Sequence, residues 1–189
     1  MSYFRKIEYR MIPEQSFDII YQCSGCGCKT SFKNTNRFRV NANGNKLDVW
    51  LIYQCSKCKH TKNLAIYERL NPAKIPQTEY QRYLANDEEL ALEYGTNSSF
   101  FRKNQVEVDN ENIFYHYENN GDEQEPAFCE GDRIVIQNPY GLRIRPEKIA
   151  AEVLKVSRSR IKKLLDTKKI EISQSDRGIE ITVYGVINL

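Results

Sequence analysis

Two short cysteine motifs with the same spacing constrain this chain more than any other feature of its sequence. Cys23 and Cys26 form the first C-x-x-C pair, and Cys55 and Cys58 form the second. A two-residue spacer lets one tight turn direct two thiolates at a single ion, which is how four-cysteine structural sites hold zinc. The pattern therefore predicts one structural Zn²⁺ bound by these four residues.

The segment between the two motifs has the pattern of a β-hairpin that would bring them together. Apolar and polar residues alternate over 38–42, Asn43-Gly44 is a two-residue turn signal, and 47–53 is a second β-rich run. A third run, 63–69, follows the second motif and completes a three-stranded sheet. Residues 1–70 are therefore predicted to form a zinc ribbon preceded by one or two short N-terminal strands that pack on it.

Two other residues near the motifs are possible substitutes as zinc ligands. Cys28 lies beside the first pair, and His60 follows the second. Because the two complete pairs suffice for tetrahedral zinc, we interpret Cys28 as a bystander and His60 as a solvated residue. The alternative is that the four cysteines form two disulfides or are buried thiols. Cys129 stands apart from the motifs and is predicted to be a buried thiol.

The amino-terminal residues lack the apolar core of a signal peptide, and no run approaches the roughly twenty apolar residues needed to cross a bilayer. Cysteines in C-x-x-C pairs without a secretory signal favour reduced thiols over a disulfide framework. The sequence therefore predicts a cytoplasmic protein. Its 189 residues allow two domains, divided here into 1–70 and 71–189.

The net charge of +3 conceals a separation of sign along the chain. Residues 87–132 contain thirteen Asp or Glu and two basic residues, whereas 143–169 contain ten Lys or Arg and three acids. Such a basic segment is suited to a polyanionic partner, or to the acidic segment of the same chain.

The region after residue 70 begins with signals for short helices. Thr78 starts one helical stretch, Asp87 can cap a second, and Asn97 or Ser98 can cap a third. Residues 118–125 are predicted to form a polar, acidic loop.

The remaining chain has the pattern of a strand, two helices and a hairpin. Residues 132–137 alternate as a strand, and Pro146 suits the first position of a helix. Ser157 can cap a second helix, and 170–183 contain two β-rich runs joined by a polar turn.

The run 142–172 resembles the RNA-binding alpha-L motif, first known from a small-subunit ribosomal protein. The match is closest at Ser157-Arg158-Ser159-Arg160 and at Leu164-Leu165. The resemblance implies two short helices and a hairpin that hold structured RNA through basic residues of the second helix. By this resemblance the RNA-binding residues are Arg158, Arg160, Lys162 and Lys163.

Two positions depart from that family, and the same residues also fit a helix-turn-helix. Arg145 stands where the family has a capping Asp, and Lys168 stands where it has a Gly. Ala151, Lys155 and Ile161 occupy the small, turn and branched apolar positions of a helix-turn-helix, which with the hairpin would make a winged DNA reader. The predicted fold class is α+β: a three-stranded zinc ribbon, then a helical and β-hairpin module of alpha-L or winged-helix type over 142–189.

Over nearly its full length the chain resembles a bacterial family known as domain of unknown function 1062. The clearest parts are the two cysteine motifs, the strand Val49-Trp50-Leu51-Ile52, Glu68-Arg69 and the run 157–165. The resemblance implies an architecture and brings no established activity.

The sequence thus predicts a nucleic-acid-binding protein, with RNA favoured over DNA. The alternatives are a DNA-binding helix-turn-helix regulator and a protein interaction or assembly factor whose zinc is purely structural. An enzyme is not expected, because four cysteines leave zinc no open position for water and no paired-carboxylate, Ser/His/Asp or phosphate-cradling Gly motif appears.

Overall fold

The computed structural model of the chain describes residues 5–119 and 128–187, and within them the fold is α+β with two five-stranded sheets. The predicted acidic loop over 118–125 lies mostly outside the described residues. The strands are β1 Lys6–Pro13, β2 Ile19–Cys23, β3 Cys28–Asn43, β4 Lys46–Cys55, β5 Thr61–Leu70, β6 Glu107–Val108, β7 Tyr115–Asn119, β8 Arg133–Gln137, β9 Ile170–Ser175 and β10 Gly178–Val183. The helices are α1 Gln77–Ala85, α2 Glu88–Gly95, α3 Ser98–Lys103, α4 Pro146–Val153 and α5 Arg158–Asp166, with a 3₁₀ turn at Pro72–Lys74.

Residues 13–114 form one compact unit around the sheet β5-β4-β3-β2-β6, whose neighbouring strands are all antiparallel. The predicted hairpin is β3–β4, and Gly44 at its tip has φ 59, a conformation that glycine adopts without a steric penalty. The three predicted strands are therefore β3, β4 and β5. The sheet is larger than predicted, because β2 and β6 extend it beyond β3.

The burial of the β4 residues shows which face of this sheet is the core. Its residues alternate between buried and half-buried positions, as expected for a strand with one face packed against other elements. Aromatic rings from the helices pack on the buried face: the ring centroids of Phe38 and Tyr83 are 5.1 Å apart, and those of Tyr53 and Phe101 are 6.3 Å apart. The buried residues of β4 are Leu47, Val49, Leu51, Tyr53 and Cys55.

α2 and α3 begin at the predicted caps, whereas α1 begins at Gln77, one residue before the predicted Thr78, without a side-chain cap. Asp87 Oδ1 accepts a hydrogen bond from the backbone N–H of Leu90 at 2.8 Å, which satisfies one of the amide groups left open at the start of α2. Asn97 caps α3 in the same way through the backbone N–H groups of Ser99 and Phe100.

The second compact unit combines residues 1–12 with 115–189, and its sheet has the order β7-β1-β8-β10-β9. β1 runs parallel to β8, with Lys6 opposite Arg133, whereas β8, β10 and β9 are antiparallel. This corrects, for β1 alone, the expectation that the N-terminal segment packs on the ribbon, because β2 of the same segment pairs with β3 in the ribbon sheet. The units also divide the chain elsewhere than after residue 70, because β1 pairs with a strand more than a hundred residues later, and α1 and α2 contact β3.

The helix pair of this unit starts where the sequence predicts. Pro146 is at the first turn of α4, and Ser157 Oγ accepts a hydrogen bond from the Arg160 N–H at 3.2 Å to cap α5. α4 and α5 contact each other and β9, and their apolar residues are buried while Leu165 is half-buried. Among the described residues, no helix has the length and apolar composition needed to span a membrane. The buried residues of the helix pair include Ile149, Val153, Leu154, Ile161 and Leu164.

Candidate functional site

The four cysteines of the two C-x-x-C motifs come together in the unit 13–114, at one end of β2, β3 and β4. All four Sγ atoms lie within 4.8 Å of one another. Cys23 Sγ is 3.3 Å from Cys58 Sγ, and Cys26 Sγ is 3.8 Å from Cys55 Sγ. Four thiolates at about 2.3 Å from one tetrahedral ion would be about 3.8 Å apart. The cysteine cluster, defined as these four residues, therefore fits a metal ion.

Each motif forms a turn with the same backbone device. Gly27 and Lys59 follow the second cysteine of their motifs and have φ 70 and φ 66. Their N–H groups donate to the carbonyls of Cys23 and Cys55 at 2.9 and 3.1 Å. The first turn also needs a small residue, since a Cβ on Gly25 would lie 3.0 Å from Cys58 Sγ. The two turns can therefore approach each other closely.

The other cysteines and His60 lie outside the cluster. Cys28 is exposed on β3, opposite Cys23 in the β2–β3 register. His60 Nε2 is 3.0 Å from Ser24 Oγ, so this histidine joins the two turns through a hydrogen bond. Cys129 is exposed, which corrects its prediction as a buried thiol.

A buried threonine contacts the cluster and was not identified from the sequence. Thr30 is 5% exposed, and its Oγ1 is 3.2 Å from Cys55 Sγ. The Thr30 hydroxyl lowers the pKa of the Cys55 thiol to about 6, because it donates to the thiolate. The hydrogen bond with Cys58, together with desolvation, raises the pKa of Cys26 to about 12. No spacing rule indicates Thr30, because its position depends on how β3 pairs with β4.

The basic residues predicted to bind nucleic acid all lie on α5. Arg158, Lys162 and Lys163 are exposed, and Arg160 is half-buried. Within the described residues none of the four forms an ion pair. The opposite side of α5 carries the buried stripe that holds the helix against α4, so the basic face is directed away from the core.

The two lysines at unusual positions of this module have a left-handed backbone. Lys155, in the turn between α4 and α5, has φ 54, and Lys168, after α5, has φ 52. These are conformations in which glycine is the commonest residue. Each lysine therefore has the backbone conformation of a glycine turn while adding a positive charge beside α5.

One acidic side chain of α4 forms hydrogen bonds and an ion pair within the same unit. Glu152 Oε2 accepts hydrogen bonds from the hydroxyls of Tyr115 and Tyr117, both at 2.8 Å, and Lys148 Nζ is 3.8 Å from Oε1. Desolvation and this carboxylate raise the pKa of both tyrosines. The Glu152 carboxylate is thus held by two hydrogen bonds and one ion pair within its own unit.

The model of the family described as Protein of unknown function (DUF1062) matches residues 40–176. This range is well over half of the chain. The chain belongs to this family. The matched range includes Cys55 and Cys58 of the cluster and the whole of α4 and α5, whereas Cys23 and Cys26 precede it. No curated protein and no solved structure matches the chain.

Proposed function

We propose that this member of the family is a structural-zinc protein that binds structured RNA through the basic face of α5. The metal part rests on the cysteine cluster, whose sulfur positions suit a tetrahedral site. Thiolate ligands favour zinc among the common divalent ions, and four of them leave no position for a substrate or water. The zinc is therefore structural, in a protein that is not an enzyme.

The observation that carries the RNA proposal is the absence of ion pairs, among the described residues, at Arg158, Arg160, Lys162 and Lys163. Cations that already have carboxylate partners gain little from a phosphate, whereas these four can neutralise phosphates and release counterions. The buried stripe on the other side fixes α5 as a rigid support. On the neighbouring helix, Glu152 is paired with Lys148 rather than with a cation of α5.

The left-handed backbone conformations of two lysines each support a different ligand, one structured RNA and the other duplex DNA. The left-handed Lys168 has the conformation of the glycine that follows the second helix of the alpha-L motif, which favours structured RNA. The left-handed Lys155 has the conformation of the turn residue of a helix-turn-helix, which favours duplex DNA. RNA remains our proposal because the Ser-Arg-Ser-Arg run and the hairpin both match the alpha-L pattern, and DNA is the second candidate.

The test is the salt dependence of binding to a hairpin RNA. In the test variant the four α5 cations are replaced by Gln, which keeps helix propensity and the buried stripe. The slope of log affinity against log salt should become shallower by about 3, since each lost phosphate contact removes about 0.7 to 0.9. A control variant loses the same total charge at four exposed cations elsewhere, namely Arg10, Arg69, Lys74 and Arg102.

The control variant should keep the wild-type slope of log affinity against log salt. The change in the α5 variant would then come from lost contacts of α5 and not from the lower net charge. An α5 variant with unchanged affinity and slope would refute the proposal. Tighter binding of the wild type to duplex DNA than to the RNA hairpin at equal salt would replace it by the helix-turn-helix function.

A further inference from the structure

Trp50 lies on the face of its sheet that the helices leave uncovered. In β4 the buried residues Val49 and Leu51 flank it, and the alternation of the strand directs its side chain to the opposite face, where it is half-buried. The aromatic residues of α1 and α3 pack on the other face through Phe38 and Tyr53. A tryptophan in this position does not serve the hydrophobic core.

A guanidinium accompanies the indole ring on this face. Arg39 is directly opposite Trp50 in the β3–β4 register, and its Cζ is 6.0 Å from the ring centroid. Arg37, Arg39 and Lys46 are exposed, and within residues 5–119 and 128–187 none of them forms an ion pair. The arrangement combines a flat aromatic surface with uncompensated positive charge.

The acidic residue nearest in the register is already engaged. Asp48 follows Lys46 by two residues, and its Oδ1 accepts the backbone N–H of Arg69 at 2.7 Å. Asp48 lies two residues before Trp50 in β4, whereas Arg39 is the charged residue directly opposite the ring.

We infer that Trp50 and Arg39 form a second nucleic-acid contact, at which an unpaired base of single-stranded RNA stacks on the indole while Arg37 and Arg39 bind the adjoining phosphates. Every base has a π-face, so stacking on an aromatic ring beside cations binds single strands with little regard to sequence. The inference rests on the proposed nucleic-acid function and adds to it the class of ligand: unpaired nucleotides, which α5 alone would not distinguish from a duplex.

The chain itself provides the reporter, because Trp50 is its one tryptophan. Oligouridylate is added to the zinc-loaded full chain, with excitation at wavelengths where tyrosine does not absorb, while binding is followed separately by filter retention. Trp50 fluorescence should be quenched in parallel with binding. Trp50→Ala should weaken binding of oligouridylate by about 5-fold to about 150-fold and leave binding of a blunt RNA duplex unchanged.

Two further variants separate stacking from folding. Trp50→Phe keeps an aromatic ring and should recover most of the affinity, whereas Arg39→Gln should weaken binding and reduce its salt dependence. Oligouridylate that is retained by the wild type without changing Trp50 fluorescence would overturn the inference. The four-Gln variant of α5 tests the two claims separately. If oligouridylate still quenches Trp50 in this variant but only at higher RNA concentration than in the wild type, both contacts are supported. If it quenches Trp50 with wild-type affinity, the Trp50 site is supported and the α5 proposal is refuted.

Discussion

Replacing Thr30 by valine should weaken zinc binding without disturbing the packing around the cluster. The hydroxyl of Thr30 is 3.2 Å from Cys55 Sγ, and the side chain is buried, so water cannot readily take the place of the lost donor. Valine has nearly the same shape and removes only the hydrogen bond. Hydrogen bonds to charged groups contribute about 1.5 to 3 kcal/mol, and outer-shell substitutions at metal sites typically cost about 10-fold to 100-fold in affinity. We therefore expect a loss in that range.

The assay is competition for zinc against a chromophoric chelator, with Thr30→Ser as the matched control. Serine keeps the hydroxyl, so its zinc affinity should stay within a few-fold of the wild type. Equal affinity for Thr30→Val and the wild type would refute the reasoning, and so would an equal loss in Thr30→Ser, because the effect would then come from packing and not from the hydrogen bond.

Four more results are expected. Cys58→Ser should abolish stoichiometric zinc whereas Cys28→Ser retains it, as measured by metal analysis; the opposite result would reverse the ligand assignment. Chelation should remove hydrogen-exchange protection around the two cysteine turns and leave 133–183 protected, and simultaneous loss in both would mean one cooperative core. Leu154→Ala should lower the free energy of unfolding by about 2 to 5 kcal/mol with unchanged zinc content, as measured by denaturant titration. Burial raises the pKa of Asp18, so the contribution of this carboxyl group to folding stability is most favourable below the ordinary carboxylate pKa of about 4 and is lost as pH rises through the raised pKa. Asp18→Asn should therefore raise Tm at neutral pH, and an unchanged or lower Tm would contradict this.

Much of the local structure follows from short-range signals in the sequence. Gly44 indicates the β3–β4 turn because glycine accepts its positive φ, although the two turn residues are Gly44 and Asn45, one position later than the predicted Asn43-Gly44 pair. Asp87 and Ser157 indicate helix starts because their side chains satisfy open amide groups. The cysteine cluster also follows largely from short-range signals. A C-x-x-C turn fixes two sulfurs within a few residues, so only the meeting of the two turns had to come from the fold.

Contacts between distant residues could not be predicted in this way. The parallel pairing of β1 with β8 corrected the position of the N-terminal strand, because alternation marks a strand without naming its partner. For the same reason, the contact of Thr30 with the cluster and the hydrogen bond between Ser24 and His60 could not be predicted. Each depends on which strands or turns are brought side by side, and no residue type at a fixed spacing reveals that.

The two faces of β4 illustrate the division between sequence and tertiary structure. The alternation of the sequence alone determines that Trp50 and Leu51 lie on opposite sides of the strand, because successive side chains of a β-strand point to opposite faces. The sequence also favours the side of Leu51 as the core, because every residue on that side of β4 is apolar or a cysteine, whereas the side of Trp50 includes Lys46, Asp48 and Gln54. Only the tertiary structure decides what covers that side, because α1 and α3 are brought there from later in the chain and pack against Phe38 and Tyr53. The pairing of β3 with β4 likewise decides that Arg39 lies beside Trp50 on the opposite face.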